Sequence, residues 1–131
     1  MNLRKRIVVA IVTVTGILLT QNTVYAEPVY LPVFERINNV KITYYCCEPY
    51  KHICGTGNGV TATGTKVMEG VVAVDPNIIP LGSIVYINGN KYIAEDTGGA
   101  IKGNRIDIAV STHQEALNLG VNYADVYFLR N

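Results

Sequence analysis

Along the chain, apolar and polar positions first fall into strict alternation at Val40. Val40, Ile42 and Tyr44 alternate with Lys41 and Thr43, the period of a half-buried strand. Val71 to Val74 is a short apolar run that reads as a second strand. Ser83 to Ile87 and Lys91 to Glu95 flank Asn88-Gly89-Asn90, and Asn-Gly supplies the positive-φ positions of a tight hairpin. Arg105 to Val110 alternates again, with Ile106, Ile108 and Val110 on one face and Arg105, Asp107 and Ala109 on the other. Tyr123 to Leu129 is a last strand.

Two short helical pieces interrupt the strands. Asp75-Pro76-Asn77 begins a turn or a single helical turn that Pro80 stops. Thr112-His113-Gln114-Glu115 carries a capping box, and Gly120 is placed to end the helix in the left-handed region. The order strand, short helix, Leu-Gly, strand therefore occurs twice, around Leu81-Gly82 and again around Leu119-Gly120. Two such units can pair into a small closed barrel, which leaves no sheet edge exposed. Coincidence between β-rich segments is the plain alternative.

The pattern changes character at the start of the chain. Arg4, Lys5 and Arg6 precede an apolar run from Ile7 to Leu19, and Val24-Tyr25-Ala26 is a small-residue exit, so residues 1–26 read as a secretory signal peptide. A retained anchor is the alternative, but the run is short of the ~20 apolar residues a spanning helix needs. Residues 27–39, with two prolines and little periodicity, read as a lead-in arm, and 40–131 as the domain. The expected destination is outside the cell or in its wall, with the membrane touched only through an uncleaved signal segment. Removing residues 1–26 from the 131 leaves 105, with 8 basic against 10 acidic residues, a net charge of −2. No basic patch stands out, so nucleic acid is not expected as a partner.

Export permits disulfides. Cys54 with Cys46 or Cys47 closes a small loop, whereas the adjacent pair Cys46 and Cys47 is strained. A zinc site with His52 lacks the usual ligand spacing. Gly55 to Gly59 (GTGNG) has neither the preceding strand nor the following helix of a dinucleotide fingerprint, so no cofactor is expected.

The densest chemistry lies in EDTGGAIKGNRID, from Glu95 to Asp107. Asp107 sits mid-strand, where aspartate is disfavoured, on the face opposite Ile106 and Ile108. Asp96 ends the hairpin strand and Asp75 ends the second strand. An aspartate at a strand end also caps turns, a reading strong for Asp75 before Pro76 and weak for Asp107. If the three converge on one rim, carboxylates sharing a site raise one another's pKa, and a carboxyl that keeps its proton is a general acid. Gly98, Gly99 and Gly103 would let a polymer lie close to the backbone.

VVAVDPNIIPLG, AEDTGGAIKGNRID, the HQEAL helix and the final VYFL strand together resemble the bacterial 3D domain, named for its three aspartates. The likeness extends to stationary-phase muralytic enzymes and to the catalytic barrel of membrane-bound lytic transglycosylase A, and it covers about Lys41 to Leu129. It implies a mainly β fold, a six-stranded double-psi β-barrel that cuts peptidoglycan glycan strands. The family's aspartates fall on Asp75, Asp96 and Asp107, which the resemblance makes the catalytic set, with Asp107 as acid and base and Asp96 and Asp75 raising its pKa, orienting it and holding sugar hydroxyls. The family's T-A-[ST]-G-T segment is Thr61 to Thr65 here, which places Thr63 in the cleft wall. Thr97, Gly98, Gly99, Lys102 and a stacking Tyr44 complete the expected substrate contacts, with Arg105 a second cation that could meet a substrate carboxylate.

Three readings compete with a lytic transglycosylase. A hydrolase would use two carboxylates and water. A barrel could bind glycan without cutting it. Asp96-Thr97-Gly98 matches the aspartic protease triplet, but that chemistry needs two such aspartates and the chain has one.

Overall fold

A computed structural model describes residues 31–48 and 58–130 of the chain. The expected signal peptide and the residues His52 and Cys54 lie outside them. Six strands and one helix follow in order: β1 (Glu35–Cys46), β2 (Val71–Ala73), β3 (Ile84–Ile87), β4 (Asn90–Asp96), β5 (Arg105–Val110), α1 (His113–Leu119) and β6 (Asn122–Leu129). They close into a barrel in the order β1-β5-β2-β4-β3-β6, with β6 returning to β1. β1 with β5 and β2 with β4 are parallel, and the other neighbours are antiparallel.

The repeated strand–helix–strand order has a spatial counterpart. β2 pairs with β5 and β3 pairs with β6, so corresponding strands of the two units lie side by side. Exchanging β2 with β5, β3 with β6 and β4 with β1 carries the strand order onto itself. The two units therefore occupy equivalent halves of one closed sheet.

Alternation decides what fills the interior. Val40 and Ile42 of β1, Val85 of β3, Ile106 of β5 and Phe128 of β6 are all at most 1% exposed and meet in a single core. Burying a residue such as Phe128 completely contributes ~1.5–3 kcal/mol. The β3–β4 hairpin turns at Asn88 (φ 50°) and Gly89 (φ 81°), both in the positive-φ region that Asn-Gly predicts.

Two expectations need correction. β1 begins at Glu35, so residues 35–39 belong to the barrel wall and not to an arm. The alternation was hidden there because β1 bulges against β6 between Ile37 and Val40, with Asn39 at φ 52° and its N–H donating to Asp125 (3.0 Å). At α1, Thr112 caps the helix through its hydroxyl, which accepts from the N–H of Glu115 (3.1 Å). Gly120 follows with φ 62° but ψ −127°, outside the left-handed helical region, and its N–H still reaches the carbonyl of Ala116 (3.1 Å).

Candidate active site

The site is a row of residues drawn from four strands. In the parallel ladder of β1 and β5, Thr43 is paired with Asp107. In the antiparallel ladder of β5 and β2, Asp107 is paired with Ala73. In the ladder of β2 and β4, Ala73 is paired with Asp96. The row thus reads Thr43, Asp107, Ala73, Asp96. Asp96 and Asp107 are two strand spacings apart, about 10 Å between Cα atoms.

A bulge makes that row possible. β2 and β4 run in register from Val71 to Val72, opposite Ile93 and Ala94, and then slip by one, so Ala73 faces Asp96 rather than Glu95. Side chains alternate along a strand, and an extra residue re-aims those beyond it. The residue between the two aspartates in the row is Ala73, 4% exposed.

Above the row is a groove of about 500 Å³ whose walls include Tyr45, Thr61, Ala62, Thr97 and Gly98, with Asp96, Asp107 and Ala73 beneath. The wall at Thr61–Thr65 is a tight turn tied to the end of β4. The N–H of Thr63 donates to the carbonyl of Glu95 (3.1 Å), and the Thr65 hydroxyl donates to the Glu95 carboxylate (2.7 Å). The hydroxyls of Thr61 and Thr65 lie 2.8 Å apart. Gly98 is required by packing, because a Cβ there would come within 2.8 Å of Ile101 Cγ1. Gly99, also in the groove wall, has open space where its Cβ would be.

The two carboxylates differ in environment. Asp107 is partly buried, and Thr43 Oγ1 donates to its Oδ1 at 2.6 Å. Burial pushes its carboxyl above the ordinary range, and nearby Asp96 adds to that; the Thr43 hydrogen bond and Arg105 oppose it. Asp96 is fixed by three donors: the N–H groups of Ala62 (3.0 Å) and Thr97 (2.9 Å) to Oδ1, and the Tyr45 hydroxyl (3.1 Å) to Oδ2. Burial, followed by the charge of Asp96, pushes the Tyr45 phenol well up, so it stays a donor.

Asp75 does not join them. Its carboxylate accepts from the N–H of Gly103 (2.9 Å) on Oδ2, and from the N–H and side-chain amide of Asn77 (both 3.1 Å) on Oδ1. Those bonds, the Gly103 one foremost, hold its pKa below the ordinary range. Asp75 opens the helical turn through 79, its carbonyl accepting from the N–H of Ile78 and of Ile79 (both 3.0 Å). It therefore ties the glycine-rich loop to that turn and lines no part of the groove. The turn-capping reading of Asp75 is the one the geometry matches.

Of the other expected contacts, Thr97, Gly98 and Gly99 line the groove. Thr63 is exposed beside it, its hydroxyl 3.0 Å from that of Thr61. Lys102 is exposed and lies within electrostatic reach of Asp75, outside the groove wall. Tyr44 points to the barrel interior and packs on the core, and among the described residues the aromatic ring lining the groove is Tyr45. Strand parity held this information: Tyr44 shares its face with Val40 and Ile42, and Tyr45 shares its face with Thr43. Cys46 is disulfide-bonded, and Cys47 is a free thiol in the groove wall. Among the described residues, no group of three His, Cys, Asp or Glu is placed to hold a metal ion.

Comparison with known proteins gives three results. Residues 70–130 match the family model of the 3D domain. The cell wall-binding protein YocH of Bacillus subtilis is 51% identical over 77 residues, which is 55% of this chain and 27% of YocH. The chain thus spans about a quarter of that relative's length. Among solved structures, MltA from E. coli is 27% identical over 55% of this chain and 27% of MltA, with a TM-score of 0.47.

Proposed function

We propose that this chain, whose residues 70–130 are a 3D domain, is an exported cell-wall protein that cleaves peptidoglycan glycan strands as a lytic transglycosylase. The observation that carries the reading is the pairing of unlike carboxylates across Ala73 in one groove. Asp107 is pushed toward its protonated form, and Asp96 is oriented by three donors. The name of the relative YocH supports the cell wall as the place of action.

The mechanism uses one acid twice. Asp107 gives its proton to the oxygen that links N-acetylmuramic acid to N-acetylglucosamine, and the bond from the anomeric carbon to that oxygen breaks. Positive charge develops at the anomeric carbon and ring oxygen. Asp107, now a carboxylate, takes the proton of the muramyl 6-hydroxyl. The 6-oxygen closes on the anomeric carbon as a 1,6-anhydro ring, and Asp107 is returned protonated. Asp96 stabilises the developing charge and holds sugar hydroxyls. The open space over Gly99, which packing does not explain, suits close approach of the glycan. Asp75 acts at a distance, fixing the loop that presents Gly98 and Gly99.

The name of YocH favours a second reading, a barrel that holds the wall without cutting it. One digest separates the two. Purified sacculi incubated with the protein should release muropeptides with anhydro ends by mass spectrometry, and Asp107→Asn should all but abolish that release. Reducing ends would mean hydrolysis, and an unchanged digest would leave wall binding alone.

A further inference from the structure

Five tyrosines of the described residues stand outside the groove, and three of them gather at one open end of the barrel. Tyr44 from β1, Tyr92 from β4 and Tyr123 from β6 line a second cavity of about 270 Å³. Asn88, Asn90 and Asn122 line it with them, and among the described residues no charged side chain does. Its floor is the apolar core, reached at Ile42, Ile87 and Ile108. The mouths of small barrels are recurrent ligand sites.

The polar groups there are largely uncommitted. No hydrogen bond among the described residues engages the side-chain amides of Asn88, in the hairpin turn, and Asn90, the first residue after it. Asn122 Nδ2 donates to the Tyr44 hydroxyl (3.3 Å) and to the carbonyl of Leu119 (3.0 Å), which fixes that amide at the rim. Tyr123 is 62% exposed although it stands in a strand beside the cavity. Amides that both donate and accept, aromatic faces and the absence of charge match one ligand chemistry. Sugar hydroxyls and acetamido groups pair with amides, and the C–H face of a pyranose lies on an aromatic ring.

We infer that the barrel mouth formed by Tyr44, Tyr92, Tyr123, Asn88, Asn90 and Asn122 is a second binding site, for an uncharged N-acetylhexosamine stretch of glycan. This rests on the glycan reading proposed above and adds to it a hold on the strand away from the carboxylates. β1 serves both sites, with Tyr44 on its inner face at the mouth and Tyr45 on its outer face in the groove.

The test is a titration of the isotope-labelled full chain with chitotetraose, a neutral N-acetylglucosamine oligomer, followed by amide shifts. Saturating shifts at Tyr92, Asn122 and Tyr123 are expected. Tyr123→Ala should weaken that binding about three- to tenfold while groove shifts and release of anhydro-muropeptides stay as in the wild type. Asn90→Ala, at an exposed position, should weaken it as well. Shifts confined to the groove would overturn the second site and leave the proposed function standing. An unchanged affinity at the mouth in both variants would also overturn it. Shifts nowhere would overturn it too, and the sacculus digest, which does not depend on the mouth, would then judge the cleavage reading separately.

Discussion

Asp107 and Asp75 are the same side chain in opposite circumstances. Asp107 stands on the outer face of β5 with, among the described residues, a single hydrogen-bond donor, Thr43, and burial raises its pKa. Asp75 stands at a corner behind the glycine-rich loop with three donors on its two oxygens, and its pKa falls. Backbone and amide N–H groups that saturate a carboxylate make it a fastener. A carboxylate left under-bonded in a partly buried groove is available for proton transfer.

The sharpest way to break this contrast is to neutralise each in turn. Asp107→Asn should lower anhydro-muropeptide release by about 10²–10⁴-fold, the range a positioned acid–base group supplies. Its thermal melt should stay near that of the wild type, because an amide still accepts from Thr43 and is no costlier to bury than the carboxyl. A large loss of Tm with activity retained would reverse the roles of the two aspartates. Ala73→Val comes next. Two added methyl carbons between Asp107 and Asp96 should displace a sugar and cut cleavage about a hundredfold, read mainly as a raised KM. Asp75→Asn should do the converse of Asp107→Asn. One amide face would turn N–H toward N–H at Gly103 or Asn77, so the melt should drop by several degrees while most activity per folded molecule remains.

pH should separate the same two residues. Asp107 has a raised pKa, so cleavage should fall as pH climbs through that raised value and the donor loses its proton. Its share of folding stability is likewise present at low pH and lost on that same climb. Asp75 has a lowered pKa, so its share is present above the ordinary carboxylate range and lost as pH falls through the depressed value. Asp75→Asn should therefore flatten part of the acid limb of a Tm-against-pH curve and leave the activity profile in place. The smallest effect is expected at Tyr45→Phe. Loss of one of three donors to Asp96 should lower kcat about two- to tenfold with the melt little changed.

Much of the contrast was readable before any coordinates. Asp107 stands out as an aspartate between Ile106 and Ile108 in a strand, and it lines the groove; Asp75, grouped with the catalytic aspartates by resemblance, sits instead in the turn that its place before Pro76 suggests. The Asn-Gly hairpin and the Thr112 cap were legible for the same reason, since each is decided within a few residues. The groove was harder. That Thr43, Asp107, Ala73 and Asp96 share a row depends on pairing between segments as far apart as residues 43 and 107, and on a one-residue slip beside Ala73. Register of that kind leaves no local trace. Tyr44 is a different case, because the alternation from Val40 already turns it inward, away from the groove that Tyr45 lines.

Pairing of β1 with β6, from Glu35 opposite Phe128 to Ile42 opposite Asn122, joins the beginning of the barrel to its end. Without β6 the sheet keeps an open seam between β1 and β3, whatever the other strands have done. A chain that stops ahead of Asn122 lacks the strand that closes the barrel and should be cleared by proteases instead of persisting as a smaller folded domain.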